Sequence, residues 1–73
     1  MLPEYIQRMQ QEAAELQAKI DKLDVFLNTS KVLELRKYEV ELLDRQLSLM
    51  LQYLQVLSAR IGFAIAKEVN NAN

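Results

Sequence analysis

The fold is decided by one apolar segment in the second half of the chain, LLDRQLSLMLQYLQVLSARI (residues 42–61). From Leu47 to Leu57 the only polar residues are Ser48, Gln52 and Gln55. Apolar residues recur here in steps of three and four, which is the spacing of one face of a helix. The segment therefore predicts a long helix, which we place from about residue 32 to residue 67.

This predicted helix carries two parallel stripes of mainly apolar residues. The first stripe comprises Leu33, Arg36, Val40, Leu43, Leu47, Met50, Leu54, Leu57, Ile61 and Ala64. The second stripe comprises Leu35, Glu39, Leu42, Gln46, Leu49, Tyr53, Val56, Arg60 and Phe63. One partner helix covers one stripe, so the other is left as an exposed apolar surface of the kind that marks an interface. Covering it is worth several kcal/mol at about 25 cal/mol per Å², and we therefore expect an oligomer.

The first half of the chain predicts a second helix, from residue 3 to residue 27. Pro3 suits a first helical turn, where a missing N–H costs nothing. The only loop signal between the helices is Asn28-Thr29-Ser30, which predicts a short connection and an antiparallel hairpin. The apolar positions of this helix alternate in steps of four and three, as in a coiled-coil seam: Leu2, Ile6, Met9, Ala13, Leu16, Ile20, Leu23 and Leu27.

The predicted fold class is therefore all-α: one helical hairpin (residues 1–67) that assembles into a helical-bundle homo-oligomer, followed by a flexible polar tail (residues 68–73). Composition limits the function. The 73 residues include no Cys and no His, which excludes disulfides, thiolate or imidazole metal sites and His-based catalysis. We expect a cytoplasmic protein that is not an enzyme, with no catalytic residue, metal or cofactor.

Charge and hydropathy argue against two kinds of partner, duplex nucleic acid and a membrane. Nine Lys and Arg against ten Asp and Glu give a net charge of −1, which argues against binding duplex nucleic acid. No uninterrupted apolar run reaches the ~18 residues of a membrane span, so we expect no membrane partner. No secretory leader is apparent either.

Gln46 and Arg60 are polar residues embedded in the second stripe, at seam positions where Leu would be the stabilising choice. Gln46 is best interpreted as a residue that fixes the register of an oligomer at some cost in stability. Arg60 is more interesting, because a guanidinium fits phosphate oxygens and is costly to bury without a counter-charge. Gly62 follows, and in a helix interior it costs about 1 kcal/mol relative to Ala. Close helix packing and close approach of a ligand explain Gly62 equally well.

The first helix offers further candidates. Tyr5 flanks the apolar seam, where its ring either packs in the core or stacks on a base. Lys19 and Lys22 are three residues apart and share one side of the helix. Without further information, both are ordinary surface lysines.

These residues, taken in order, resemble a phage family of helical hairpins, the anti-CBASS and anti-Thoeris nucleotide sponges. The resemblance covers about residues 5–63, and the lack of an extra β-rich part makes the compact anti-CBASS branch the closer one. The first helix carries it in Tyr5-Ile6-Gln7-Arg8-Met9, Glu12, Glu15-Leu16, Lys22-Leu23 and Phe26-Leu27. The second carries it in Leu42-Leu43, Gln46, Met50, Tyr53, Val56-Leu57 and Arg60-Ile61.

The resemblance implies sequestration. Such a viral immune-evasion protein binds the cyclic di- or trinucleotide messenger of the bacterial defence, such as cyclic GMP-AMP, without cleaving it. It also implies self-association from dimer to hexamer, with separate sites for the two ligand classes. By position, Tyr5 matches the base-stacking aromatic residue, and Lys22 or the nearby Lys19 matches the phosphate contact. Arg8 is either a polar contact or an ion-pair partner of Glu12. Arg60 and Gly62 resemble the Arg-x-Gly segment of the trinucleotide site.

Two functions are thus carried forward. The first is a cyclic-nucleotide sponge that blocks CBASS-like antiviral signalling in a host bacterial cytoplasm. The alternative is a structural oligomerisation or adaptor hairpin that binds itself or another helix and has no nucleotide ligand.

Overall fold

Two long antiparallel helices make up the molecule. The computed structural model describes residues 1–71. Helix α1 is Glu4–Leu27, a 3-10 segment is Ser30–Glu34, and helix α2 is Lys37–Asn71. The chain measures 57 × 16 × 14 Å, and these 71 residues contain no strand. The prediction of an all-α antiparallel hairpin is confirmed.

Helix α1 begins one residue later than predicted. Pro3 has φ −55° and ψ 152°, so it stands just outside the helix as its N-cap. Its carbonyl accepts hydrogen bonds from the backbone N–H of Ile6 (3.1 Å) and of Gln7 (3.2 Å). The side-chain amide of Gln7 also donates to the Leu2 carbonyl at 2.6 Å, and this bond connects the preceding residues to the first turn.

The predicted loop signal ends α1 by local hydrogen bonding. The Asn28 side-chain amide donates to the carbonyl of Asp24 at 2.7 Å, and the Thr29 hydroxyl donates to that of Phe26 at 2.7 Å. These bonds satisfy carbonyl groups that the last turn of a helix leaves without a partner.

The predicted start of the second helix, near residue 32, is wrong. The 3-10 segment comes first, and Leu35 is then extended (φ −89°, ψ 154°), so α2 starts only at Lys37. A Glu39 carboxylate oxygen accepts from the Arg36 backbone N–H at 3.2 Å, which is half of a capping box. Thr29 and Ser30 are of residue types that often cap a helix N-terminus, but neither of them caps α2. Leu33, assigned to the first stripe, lies in the 3-10 segment and is 82% exposed.

The predicted end of the second helix is also too early. Helix α2 continues to Asn71, so residues 68–71 of the predicted tail are helical. Glu68 is half-buried there and accepts a hydrogen bond from Tyr5. This contact with α1 helps to explain why the helix does not fray at residue 67. Ala72 and Asn73, the rest of the predicted tail, lie outside the described residues.

The core is a thin seam between the two helices. Its buried members are Ile6 and Ile20 from α1 and Leu57 and Ala64 from α2. Every position of the predicted α1 seam is buried or half-buried, which confirms that pattern. The first stripe of α2 faces α1 from Val40 onward, and all of its members there are buried or half-buried.

The second stripe of α2 faces solvent, as predicted. Leu49 is 63% exposed and Phe63 is 74% exposed. By length and composition alone α2 is long and apolar enough to cross a membrane, and only 11% of its apolar window is buried in the hairpin. The sequence argument against a span overlooked this, because it required an uninterrupted apolar run. One hairpin thus leaves most of its apolar helix uncovered.

Candidate ligand-binding site

The first candidate site is a groove at the open end of the hairpin, which we call the terminal groove. It is formed by the first turns of α1 and the last turns of α2 and has a volume of about 660 Å³. Two aromatic rings and two cations lie among small apolar side chains. Its lining residues are Tyr5, Met9, Val56, Ala59, Arg60, Phe63, Ala64 and Lys67.

The helices fix these groups by their spacing. Arg60, Phe63 and Lys67 are three and four residues apart, so they lie on one face of α2. Because the helices are antiparallel, Tyr5 in the first turns of α1 lies beside the last turns of α2. The arrangement combines flat apolar surfaces with two cationic side chains, which suits an anion that carries an aromatic ring.

A hydrogen bond holds Tyr5 in the terminal groove. Its hydroxyl donates to Glu68 Oε1 at 3.4 Å. Partial burial, and secondly the negative charge and hydrogen bond of Glu68, raise the pKa of the Tyr5 phenol. The phenol therefore stays protonated at neutral pH.

A second, shorter tyrosine–glutamate hydrogen bond joins the two helices nearer the middle of the hairpin. The Tyr53 hydroxyl donates to Glu12 Oε1 at 2.7 Å. This bond, with partial burial and the charge of Glu12, raises the pKa of the Tyr53 phenol, while the positive charge of Arg60 opposes the rise. Arg60 is thus close enough to Tyr53 to act on its phenol electrostatically.

The second candidate site lies in the middle of α2, and we call it the mid-helix groove. It is an open depression of about 710 Å³ built by α2 alone. The Gln46 amide reaches the Met50 sulfur at 3.8 Å across it. Its lining residues are Leu42, Arg45, Gln46, Ser48, Leu49, Met50 and Tyr53.

The structure brings together two of the predicted site residues, Tyr5 and Arg60, in the terminal groove. It separates the predicted lysines from them. Lys19 and Lys22 are exposed near the connection. Lys22 is seventeen residues from Tyr5, about 26 Å along one helix at 1.5 Å per residue. Tyr5 and Lys22 cannot contact one nucleotide from within a single chain.

The remaining two predicted residues lie outside the terminal groove. Arg8 is exposed, and Glu12, its alternative ion-pair partner, accepts the hydrogen bond from Tyr53. Gly62 is exposed, and a Cβ added there would meet nothing within 4 Å. Two residues apart on a helix, Gly62 and Arg60 point about 160° away from each other. One chain therefore does not use Arg60 and Gly62 on the same surface.

Sequence reasoning missed Lys67 as a site residue and treated it as the end of the helix. The signal was present, because Lys67 follows Phe63 by four residues and so continues the second stripe. Within residues 1–71 no group of three or more Asp or Glu side chains could hold a metal ion.

Comparison with known proteins places the chain in a family. A family model described as Sequestin matches residues 3–63. The chain belongs to the Sequestin family. The Sequestin match takes in α1, the 3-10 segment and α2 as far as Phe63, so it includes Tyr5 and Arg60 and ends before Lys67. The family name fits a sequestering protein. No curated protein and no solved structure matches the chain.

Proposed function

We propose that this protein sequesters cyclic di- or trinucleotide second messengers without cleaving them, and so blocks CBASS-like antiviral signalling. It acts as a phage-type protein in the cytoplasm of a host bacterium and needs no metal or cofactor. The observation that carries the proposal is the terminal groove, which combines Tyr5 and Phe63 with Arg60 and Lys67. The Sequestin match over residues 3–63 supports the same class of function.

The groups that line the terminal groove are of the kinds that contribute most to nucleotide binding. Stacking of one base on an aromatic ring is worth about 1–3 kcal/mol. A charge-assisted hydrogen bond to phosphate is worth about 1.5–3 kcal/mol. Two rings and two cations then give about 5–12 kcal/mol before ordering costs. A micromolar dissociation constant corresponds to about 8 kcal/mol, which lies within this gross range, so such affinity does not require a basic surplus elsewhere.

The proposal includes self-association. Tyr5 and Lys22, the two residues matched to the dinucleotide contacts, are about 26 Å apart in one chain. A ligand that touches both must therefore bind between copies. A two-fold dimer presents each side chain twice, which suits a cyclic dinucleotide with two bases and two phosphates. A trimer of such dimers would present Arg60 three times to a cyclic trinucleotide.

Calorimetric titration tests the binding claim. The purified chain is titrated with a panel of cyclic di- and trinucleotides, with the linear dinucleotide of the same bases as control, and light scattering gives the mass of the complex. We expect binding of at least one cyclic ligand and its intact recovery after the protein is denatured. Degraded ligand, or no heat across the whole panel, contradicts the proposal.

Mixing two inactive variants tests whether the site is shared. Tyr5→Ala and Lys22→Ala should each lose affinity for the cyclic dinucleotide. Refolded together, they should regain about a quarter of the sites, because mixed dimers contain one intact site and one doubly altered site. A mixture as inactive as its components would exclude a site shared in this way. The double variant Tyr5→Ala/Lys22→Ala is the matched control.

The alternative is a structural oligomerisation or adaptor hairpin without a nucleotide ligand. The exposed stripe of α2 favours it, because that stripe offers a docking face whether or not a ligand binds. This alternative predicts no heat with any cyclic nucleotide. It also predicts that Tyr5→Ala and Lys22→Ala leave the association of the chain unchanged.

A further inference from the structure

Glu68 lies beside the terminal groove but does not line it. It follows Ile61 and Ala64 in steps of three and four residues, so it continues the first stripe of α2, which faces α1. Glu68 is half-buried there. Its Oε1 lies 3.4 Å from the hydroxyl of Tyr5, whose side chain does line the groove. Glu68 therefore contacts the hydroxyl end of Tyr5 without occupying the space of a ligand.

Tyr5 needs such a contact because of its place in the fold. It is the second residue of α1, which begins at Glu4, and 43% of its surface is exposed. Terminal turns are the least stable part of a helix, so the backbone alone fixes this ring poorly. A ring that is free before binding must be ordered when a base stacks on it, and that ordering weakens binding.

We propose that Glu68 is a positioning residue, which holds the Tyr5 ring in the orientation that stacks on a base of the ligand. The inference rests on the proposed function, because it requires a ligand that carries a base. Glu68 acts through Tyr5 and does not contact the ligand itself. The Sequestin match ends at Phe63, so the matched segment does not contain this residue.

The Glu68 carboxylate has two opposite effects on an anionic ligand. As a hydrogen-bond acceptor it fixes Tyr5 and favours binding, but its negative charge repels a phosphate. The raised pKa of the Tyr5 phenol agrees with the contact, since partial burial is the main cause and the charge and hydrogen bond of Glu68 add to it. Two neutral variants separate the effects, because Glu68→Gln keeps an acceptor oxygen and Glu68→Leu removes it.

Calorimetric titration with cyclic GMP-AMP compares these two variants. Glu68→Gln should bind at least as tightly as the unaltered chain, because it loses the repulsion and keeps the hydrogen bond. Glu68→Leu should bind about three- to tenfold more weakly than Glu68→Gln, since the Tyr5 side chain must then be ordered on binding. Equal affinity of Glu68→Gln and Glu68→Leu overturns the proposal.

The same comparison in a Tyr5→Phe chain is the matched control. Phenylalanine keeps the ring but has no hydroxyl to donate, so the Gln and Leu variants should now bind equally well. A difference that persists in this chain would mean that Glu68→Leu acts by disturbing the end of the hairpin, and it would also overturn the proposal. Helix content measured by circular dichroism confirms that each variant folds.

Nuclear magnetic resonance relaxation of carbon-13-labelled tyrosine tests the positioning without any ligand. Glu68→Leu should increase the fast motion of the Tyr5 ring, and Glu68→Gln should leave it unchanged. Tyr53 is the internal control, because its hydrogen bond to Glu12 is not altered in either variant. A Tyr5 ring that is equally ordered in all three proteins contradicts the proposal.

The two proposals fail in different ways. Binding of cyclic GMP-AMP with no difference between the Gln and Leu variants would reject the role of Glu68 alone. A Tyr5 ring that responds to Glu68→Leu in a chain that binds no cyclic nucleotide would reject the sponge, and it would leave Glu68 only as a structural partner of Tyr5.

Discussion

The mid-helix groove and the terminal groove lie along the same exposed stripe of α2, but they differ in which helices line them. The mid-helix groove is formed by α2 alone, and Arg45 is its only charged lining residue. The terminal groove is shared between the helices, because α1 adds Tyr5 and Met9 to it, and two cations line it. The same three-and-four residue spacing along α2 thus gives one mainly apolar groove and one groove with aromatic rings and cations.

This difference separates assembly from ligand binding. A mainly apolar face on a single straight helix is complementary to another helix, and knobs-into-holes packing can cover it. A groove between two helices with rings and cations is complementary to a flat anion. If the proposed function is right, self-association should depend more on the mid-helix groove and ligand capture more on the terminal groove, and each of the following changes should affect one more than the other.

The largest effect is expected from a charge in the mid-helix groove. Leu49→Asp places a carboxylate in the mid-helix groove, where covering an unpaired charge on association is costly. We expect the oligomer to dissociate, with at least a hundredfold weaker association measured by sedimentation. Helix content at high protein concentration reports whether the hairpin survives.

Gln55→Asp is the matched control for that change, because it adds the same charge to the same helix away from the stripe. It should leave the sedimentation behaviour unchanged. Equal dissociation of Leu49→Asp and Gln55→Asp would mean that added negative charge, and not the mid-helix groove, governs assembly.

A smaller effect is expected from removing one cation of the terminal groove. Arg60→Ala should weaken cyclic-nucleotide binding by about tenfold to a hundredfold, since a charge-assisted hydrogen bond contributes about 1.5–3 kcal/mol. Arg45→Ala removes the same side chain from the mid-helix groove and should bind normally. Calorimetry measures the affinity of both variants. An equal loss of affinity would show that the net charge of the protein, and not the terminal groove, holds the ligand.

The fold was largely predictable because its signals are periodic. Alternating steps of three and four residues identified the buried face of α1 and both faces of α2 without long-range information. The boundary errors have local causes. Leu33 continues the apolar period in sequence, but the 3-10 segment removes it from the helix, and the cap formed by Glu39 sets the later start of α2.

The site was only partly predictable, because it depends on how the two helices align. Tyr5 and Arg60 were named for separate ligands, and only the antiparallel packing shows that they share one groove. Lys22 was paired with Tyr5 by resemblance, and the length of α1 shows that one chain cannot join them. Gly62 resembles part of a site in sequence but points away from Arg60 on the helix.

Gly62→Ala tests whether a further surface exists outside both grooves. Nothing lies within 4 Å of an added Cβ, so the change should raise the free energy of unfolding by about 0.5–1 kcal/mol through helix propensity alone. Denaturant unfolding measures this free energy. Ala66→Gly is the reverse change at an exposed position of the same helix, so it should lower the free energy of unfolding by a similar amount. Destabilisation by Gly62→Ala would instead show that another copy or a ligand packs against that face.

The smallest effect concerns the two tyrosine hydrogen bonds, one beside each groove. Because the pKa values of Tyr5 and Tyr53 are raised in the folded chain, the stability they contribute is fully present below the ordinary phenol pKa of about 10 and is lost as the pH rises above it. Denaturant unfolding at about pH 8 and about pH 11 measures this loss.

Tyr53→Phe should remove more of the alkaline loss than Tyr5→Phe, because the Tyr53 bond is 2.7 Å long and the Tyr5 bond is 3.4 Å long. The double variant should show the smallest loss of the four proteins. If its loss equals that of the unaltered chain, the phenols do not carry the alkaline sensitivity. If Tyr5→Phe has the larger effect, the hydrogen bond of Tyr5 in the terminal groove is the stronger of the two in solution.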